Sequence, residues 1–132
     1  MIFVYVINLI VIMENKKMKI YISGPMSMLI EAGREDEMKM IFDTAERNLT
    51  YLGFEVVNPF YNGLSTKDKW IKHILKDLEL EDPCDAICYL HTWELFSSPG
   101  GEMEKIVARR EKKLEIREIK KDNGEYEYVF IN

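Results

Sequence analysis

The sequence lacks what several large protein classes require. Cysteine is nearly absent: two residues in 132, Cys84 and Cys88, flank Asp85-Ala-Ile. Four-residue spacing along an extended strand holds the two sulfurs too far apart to bond. A disulfide framework is therefore excluded, and free core thiols in a reduced, cytoplasmic protein are expected. Histidine is equally scarce, and His73 and His91 form no ligand pattern with the cysteines, so neither a metal nor another cofactor is expected. There is no basic stripe. The net charge is −5 with acids and bases interleaved, which argues against a nucleic-acid polymer as partner. A small anionic ligand stays compatible, because a local site can oppose the global charge.

No apolar run is long enough to cross a bilayer as a helix. The strongest opens the chain, MIFVYVINLIVI over residues 1–12. It has neither a basic lead-in nor a small-residue cleavage site, so a signal peptide is poorly supported. Residues 1–17 are thus an apolar N-terminal extension with two readings, an extra strand or oligomer contact, or an upstream extension with Met13 or Met18 as the more natural start. Lys16-Lys17-Met18-Lys19-Ile20-Tyr21, a polar lead-in to a first strand, favours the second. Internal repeats and low-complexity linkers are also missing, and residues 18–132 read as one domain, long enough to bury a core without staples.

What is present alternates. Lys19–Ser23 is a β-rich run stopped by Gly24-Pro25. A loop from Met26 to Glu35 follows, with Asp36 as cap of a helix to about Leu52 on the apolar positions Met40, Phe42, Ala45, Leu49 and Leu52. Gly53 ends that helix, and Phe54–Val57 is a second strand. After the loop Asn58–Gly63, Ser65 or Thr66 opens a helix carrying Trp70, Ile74, Asp77, Leu78 and Leu80, stopped at Asp82-Pro83. Ala86–Leu90 is an apolar strand suited to the centre of a parallel sheet. The run from Trp93 reads as a strand end, then a loop and a helix from Ser98 to about Lys113. Leu114–Ile119 is a fourth strand. A turn at Asp122-Asn123-Gly124 leads to a last strand on which Tyr126, Tyr128 and Phe130 alternate. The order predicts an α/β, Rossmann-like (flavodoxin-like) three-layer fold with a mostly parallel sheet of four to five strands. Ligands in such sheets bind beyond the carboxyl ends of the strands, where Gly24-Pro25, Asn58-Pro59 and Ser98-Pro99-Gly100 gather.

Ser98-Pro99-Gly100-Gly101 has the chemistry of an anion cradle. Ser98 suits the N-cap and Pro99 the first helical position. The two glycines leave the backbone open to a ligand, and unpaired amides favour negative charge. Gly101, Glu104 and Ala108 share a helical face, which aims Glu104 at the cleft beside the loop. Asp77, on the preceding helix, can reach the same rim, and Tyr21 is a third candidate. Two carboxylates about a sugar anomeric carbon are the glycosidase arrangement. Each candidate has an ordinary alternative: a plain helix start with a surface Glu104, an Asp77 paired with Lys72 or Lys76, and a Tyr21 packed in the core.

In order, Lys19-Ile-Tyr-Ile-Ser-Gly-Pro-Met26, Asn58-Pro59, Asp77, Asp85-Ala-Ile and Ser98-x-Gly-x-x-x-Glu104-x-x-x-Ala108 resemble the nucleoside 2-deoxyribosyltransferase-like superfamily over residues 18 to 118. The resemblance implies cleavage of an N-glycosidic bond, and homodimers or higher assemblies whose subunits complete each other's sites. It puts Glu104 at the nucleophile position, Asp77 at the second carboxylate and Tyr21 as the supporting tyrosine. Gly24, Pro25, Met26, Asn58, Ser98, Gly100 and Gly101 fall at substrate-binding positions. Base-exchanging members usually carry aspartate six residues before the nucleophile; this chain carries Ser98, which is similar to the branch hydrolysing nucleoside 5′-monophosphates. A hydroxyl beside free amides suits a phosphate that a carboxylate would repel. Arg34 adds a candidate phosphate-pairing cation. The expectation is release of free base from a (deoxy)nucleoside 5′-monophosphate; base exchange and nucleotide binding without turnover are the alternatives.

Overall fold

The computed structural model describes residues 17–93 and 98–131, without the side chains of residues 27 and 28. The readings offered for residues 1–16 lie outside the described residues, as do residues 94–97. Five strands, β1 (Lys19–Ser23), β2 (Glu55–Val57), β3 (Ala86–Tyr89), β4 (Leu114–Lys120) and β5 (Tyr126–Phe130), form one sheet in the order β2-β1-β3-β4-β5. The first four are mutually parallel and β5 is antiparallel to β4. The helices are α1 (Met26–Glu31), α2 (Glu35–Tyr51), α3 (Trp70–Glu81) and α4 (Pro99–Arg110). This is the expected α/β, Rossmann-like architecture. Among the described residues no helix is long and apolar enough to cross a membrane.

Strand alternation separates two cores. Ile20 and Ile22 of β1, Ala86 and Cys88 of β3 and Ile116 of β4 pack under Met38, Phe42, Ala45 and Leu49 of α2. Tyr21, Ile87 and Tyr89 face the other way, with Cys84 and Ala108 of the α4 layer. Cys84 and Cys88 are both buried free thiols, on opposite sides of the sheet. The β4–β5 connection turns at Gly124, whose φ of 86° a side chain would strain.

The structure corrects the sequence reading in five places. Met26–Glu31 is a short helix, α1, rather than loop. The next helix starts at Glu35, and Asp36 sits inside its first turn with Glu35 and Glu37, where negative charge suits the helix dipole. Met38, not Met40, fills the core position: the spacing 38, 42, 45, 49 keeps one face, whereas Met40 is 69% exposed. Ser65 opens a turn rather than a helix, its hydroxyl accepting from Lys67 N and its amide donating to Asp68, so α3 begins at Trp70. Trp93 likewise belongs to a turn beyond β3, its amide donating to Leu90 O.

Candidate functional site

From β1 the chain runs outward to β2, then crosses back over β1 to β3. The loops after β1 and β3 therefore part in opposite directions and leave a crevice between them, the usual ligand position in such sheets. Here that crevice is a cavity of about 470 Å³. Gly24 and Met26 after β1, Pro59 and Asn62 after β2, and Ser98, Gly100 and Gly101 at the start of α4 all contribute to its wall. Asp77 from α3 and Glu104 from α4 line it as well, so the three strand-end loops and both carboxylates do meet.

The start of α4 follows from local chemistry. Ser98 is extended (φ −131°) and its Oγ accepts from Gly101 N at 3.2 Å, with Pro99 in the first helical turn. The glycines have a packing reason first. A Cβ on Gly100 would come within 2.5 Å of Ile74 Cδ1, and one on Gly101 within 3.1 Å of Trp93 Nε1. Their small size lets α4 settle against α3 and Trp93, which seats Glu104 one turn later in the interior, 4% exposed.

Glu104 has donors on both oxygens. Tyr21 OH donates to Oε2 and Ser23 Oγ to Oε1, the latter at 2.7 Å. Trp93 Nε1 in turn donates to Ser23 Oγ at 3.2 Å, leaving the serine proton to Glu104. Burial pushes the Glu104 carboxyl up, to about 8. The two hydroxyls pull it down, and the charges of Asp77 and Glu81 add to the rise. Tyr21 is driven well above its ordinary value, first by burial and then by Glu104, so it stays a neutral donor.

Asp77 is oriented by a loop residue. Asn62 Nδ2 donates to Asp77 Oδ1 at 3.0 Å and lies 3.1 Å from His73 Nδ1, while His73 Nε2 is 2.9 Å from Ser65 O. Ser65 O can only accept, which assigns the His73 proton to Nε2 and leaves Nδ1 to accept from Asn62. Burial raises the Asp77 carboxyl to about 6, against the opposing effects of Asn62 and His73. One turn further along α3, Glu81 is fully buried, and neither of its oxygens has a partner among the described residues. Burial lifts it to about 8, with Lys113 opposing.

Four expected residues stand away from the wall. Tyr21 is fully buried behind it and reaches the site only through Glu104. Asn58 is buried and structural: its Oδ1 caps the 3-10 turn Pro59–Tyr61 through Phe60 N, and its Nδ2 donates to Asp43. Pro25 is buried beneath the loop. Arg34 points along α2, where its guanidinium meets Glu37 at 2.6 and 2.7 Å. The cavity wall instead carries further acids, Glu31, Glu35 and Asp68, and neither Lys nor Arg among the described residues. Sequence reasoning overlooked Ser23, Asn62, His73, Glu81 and Trp93. Two signals were available: Tyr21 and Ser23 alternate onto one strand face, and His73, Asp77 and Glu81 repeat every four residues on one helix face.

Among the described residues no group of three or more His, Cys, Asp or Glu side chains is arranged to hold a metal ion. A carboxyl fed by two hydroxyls, with a second oriented carboxyl on the wall of the same cavity, can stabilise positive charge on a bound molecule and move a proton beside it. Residues 18–117 match the family model described as a domain of unknown function (DUF4406). No curated protein matches the chain.

Proposed function

The chain belongs to the DUF4406 family, and for this member of it we propose hydrolysis of the N-glycosidic bond of a (deoxy)nucleoside 5′-monophosphate, giving free base and (deoxy)ribose 5-phosphate. The observation that carries the reading is Glu104: a buried carboxyl at a cavity wall, held on both oxygens, with Asp77 on the same wall. In the mechanism Glu104 stabilises or traps the anomeric carbon as the base departs. Tyr21 and Ser23 hold its oxygens in place and, as donors, partly offset the burial that raises it to about 8, so the ionised form this role needs grows as pH rises through that value. Asp77, raised to about 6, assists the leaving base or activates water. Ser98 and the amides at the start of α4 receive the phosphate. The motif resemblance to nucleoside 2-deoxyribosyltransferase-like proteins supports the same assignment of roles.

Free base is the readout. Incubation with a panel of nucleoside 5′-monophosphates yields base by chromatography, and Glu104→Ala lowers the rate at least about a thousandfold while keeping the melting profile. Full activity in that variant removes Glu104 from the mechanism. A second reading, transfer of deoxyribose between bases, is favoured by the acidic wall of Glu31, Glu35 and Asp68, which opposes a phosphate. It calls for nucleosides without phosphate as better substrates, and for little product until an acceptor base is added.

Assembly into homodimers or higher homo-oligomers belongs to the same proposal. Trp70, Ile71 and Leu75 of α3 and Ile106 of α4 are exposed apolar side chains on adjacent helices, material for such a contact. Sedimentation gives the mass, and a monomer at working concentration rules the assembly out.

A further inference from the structure

Of the four oxygens of Glu104 and Asp77, one has no hydrogen-bond partner among the described residues. Glu104 accepts from Tyr21 OH on Oε2 and from Ser23 Oγ on Oε1. Asp77 accepts from Asn62 Nδ2 on Oδ1 at 3.0 Å, and no other described group is hydrogen-bonded to it. Asp77 lines the cavity, so Oδ2 is the oxygen left for a ligand. A donor aimed at Oδ1 also excludes a proton from it. A protonated Asp77 therefore carries its hydrogen on Oδ2.

The aim of that donor is fixed from two sides. Asn62 Oδ1 accepts from Leu64 N at 3.0 Å, which ties the amide to the loop after β2. The second Nδ2 hydrogen goes to His73 Nδ1 at 3.1 Å, and His73 Nε2 donates to Ser65 O at 2.9 Å. An amide turned over would set Nδ2 against the Leu64 N–H, and Oδ1 against Asp77 and His73, so all three contacts would be lost. His73 and Asp77 stand one turn apart on α3, within reach of a single amide. We propose that Asn62 and His73 are positioning residues, which turn Asp77 so that Oδ2 delivers its proton to the departing base. The proposal rests on the glycosidase reading for what Asp77 does. In that step the bond from the anomeric carbon to the base nitrogen breaks, and its electron pair takes up the Oδ2 proton. Water then gives its hydroxyl to the sugar and a proton back to Asp77.

Variants of His73 separate aiming from anchoring. The side-chain oxygen of an asparagine replaces Nδ1 as acceptor for Asn62, whereas the longer glutamine replaces only the contact of Nε2 with Ser65 O. His73→Leu lowers kcat for a nucleoside 5′-monophosphate about tenfold or more and changes KM less than about threefold. His73→Asn regains most of that rate and His73→Gln does not; the reverse order overturns the proposal. A 4-nitrophenyl (deoxy)riboside 5-phosphate loses its phenolate without a proton, so His73→Leu slows it less than about threefold. Equal losses on both substrates also overturn the proposal. One arm needs no turnover. In Asn62→Leu the Asp77 carboxyl, followed by carbon NMR, titrates above the parent value of about 6, because a donor to its charged form is gone. In the parent, nitrogen NMR finds the neutral His73 proton on Nε2. An unmoved Asp77, or a proton on Nδ1, overturns the relay. A parent that releases no base while both NMR results hold removes the glycosidase reading and leaves the aim of Asp77 supported.

Discussion

Strand β1 presents Ile20 and Ile22 to α2, and Tyr21 and Ser23 to α3 and α4. The same alternation thus builds two unlike layers. Under α2 the contacts are apolar, and Phe42 and Leu49 are fully buried. Under α3 and α4 the layer holds Asp77, Glu81 and Glu104, all at most 4% exposed, with hydroxyls between them. Burying carboxyls costs stability unless they are paired or protonated. The apolar layer therefore carries the fold, and the polar one draws on that stability to hold acids away from water. The contrast teaches where to look for function in a small α/β domain: on the face where strand alternation delivers polar side chains to the sheet's carboxyl end.

The sharpest way to break the contrast is on the apolar side. Phe42→Ala leaves a void beneath β1 and is expected to lower the unfolding free energy by about 3 to 5 kcal/mol, read by urea titration. A loss below about 1 kcal/mol would mean that α2 is not the supporting layer.

On the polar side, Glu81→Gln is expected to act in the opposite direction, and only at higher pH. Burial raises the folded carboxyl from 4.5 to about 8. The folded state then binds more protons than the unfolded chain between those values, so stability falls as pH rises through them and the full penalty is present above about 8. The glutamine variant escapes that fall. Its advantage over the parent grows from about pH 5 to about pH 9, to roughly 3 kcal/mol. Thermal melts at both values check it, and an equal difference at the two would show that Glu81 is not held as a buried acid.

Ser98→Ala is the smallest of the set. Losing the cap is expected to cost about 1 kcal/mol of stability. On the proposed function it also raises KM for a nucleoside 5′-monophosphate several-fold, leaving the unphosphorylated nucleoside unaffected. Steady-state kinetics with the matched pair of substrates measures this, and equal losses for both would detach Ser98 from the phosphate.

Much of this was legible in the residues because the signals are local. The Ser98-Pro99-Gly100-Gly101 start, the Gly101/Glu104/Ala108 face and the apolar β3 run each depend on neighbours a few positions away. The short helix α1 escaped notice because six residues between Pro25 and Gly33 give no second turn of periodicity. The five-residue delay before α3 arises from Ser65 and Asp68 closing a turn on their own backbone, a competition that helix spacing does not report. Asn62 was invisible for a different reason: its link to Asp77 and His73 exists only once the loop after β2 folds onto α3. Arg34 shows the converse. A cation in a promising loop was claimed by Glu37 three residues away.

The most direct measurement is a crystal structure of Glu104→Gln grown with a nucleoside 5′-monophosphate. The proposed function requires the phosphate against Ser98 and the Gly100 and Gly101 amides, with the anomeric carbon between position 104 and Asp77. A nucleotide whose sugar faces away from both carboxyl positions, or whose phosphate sits outside the first cavity, would contradict it.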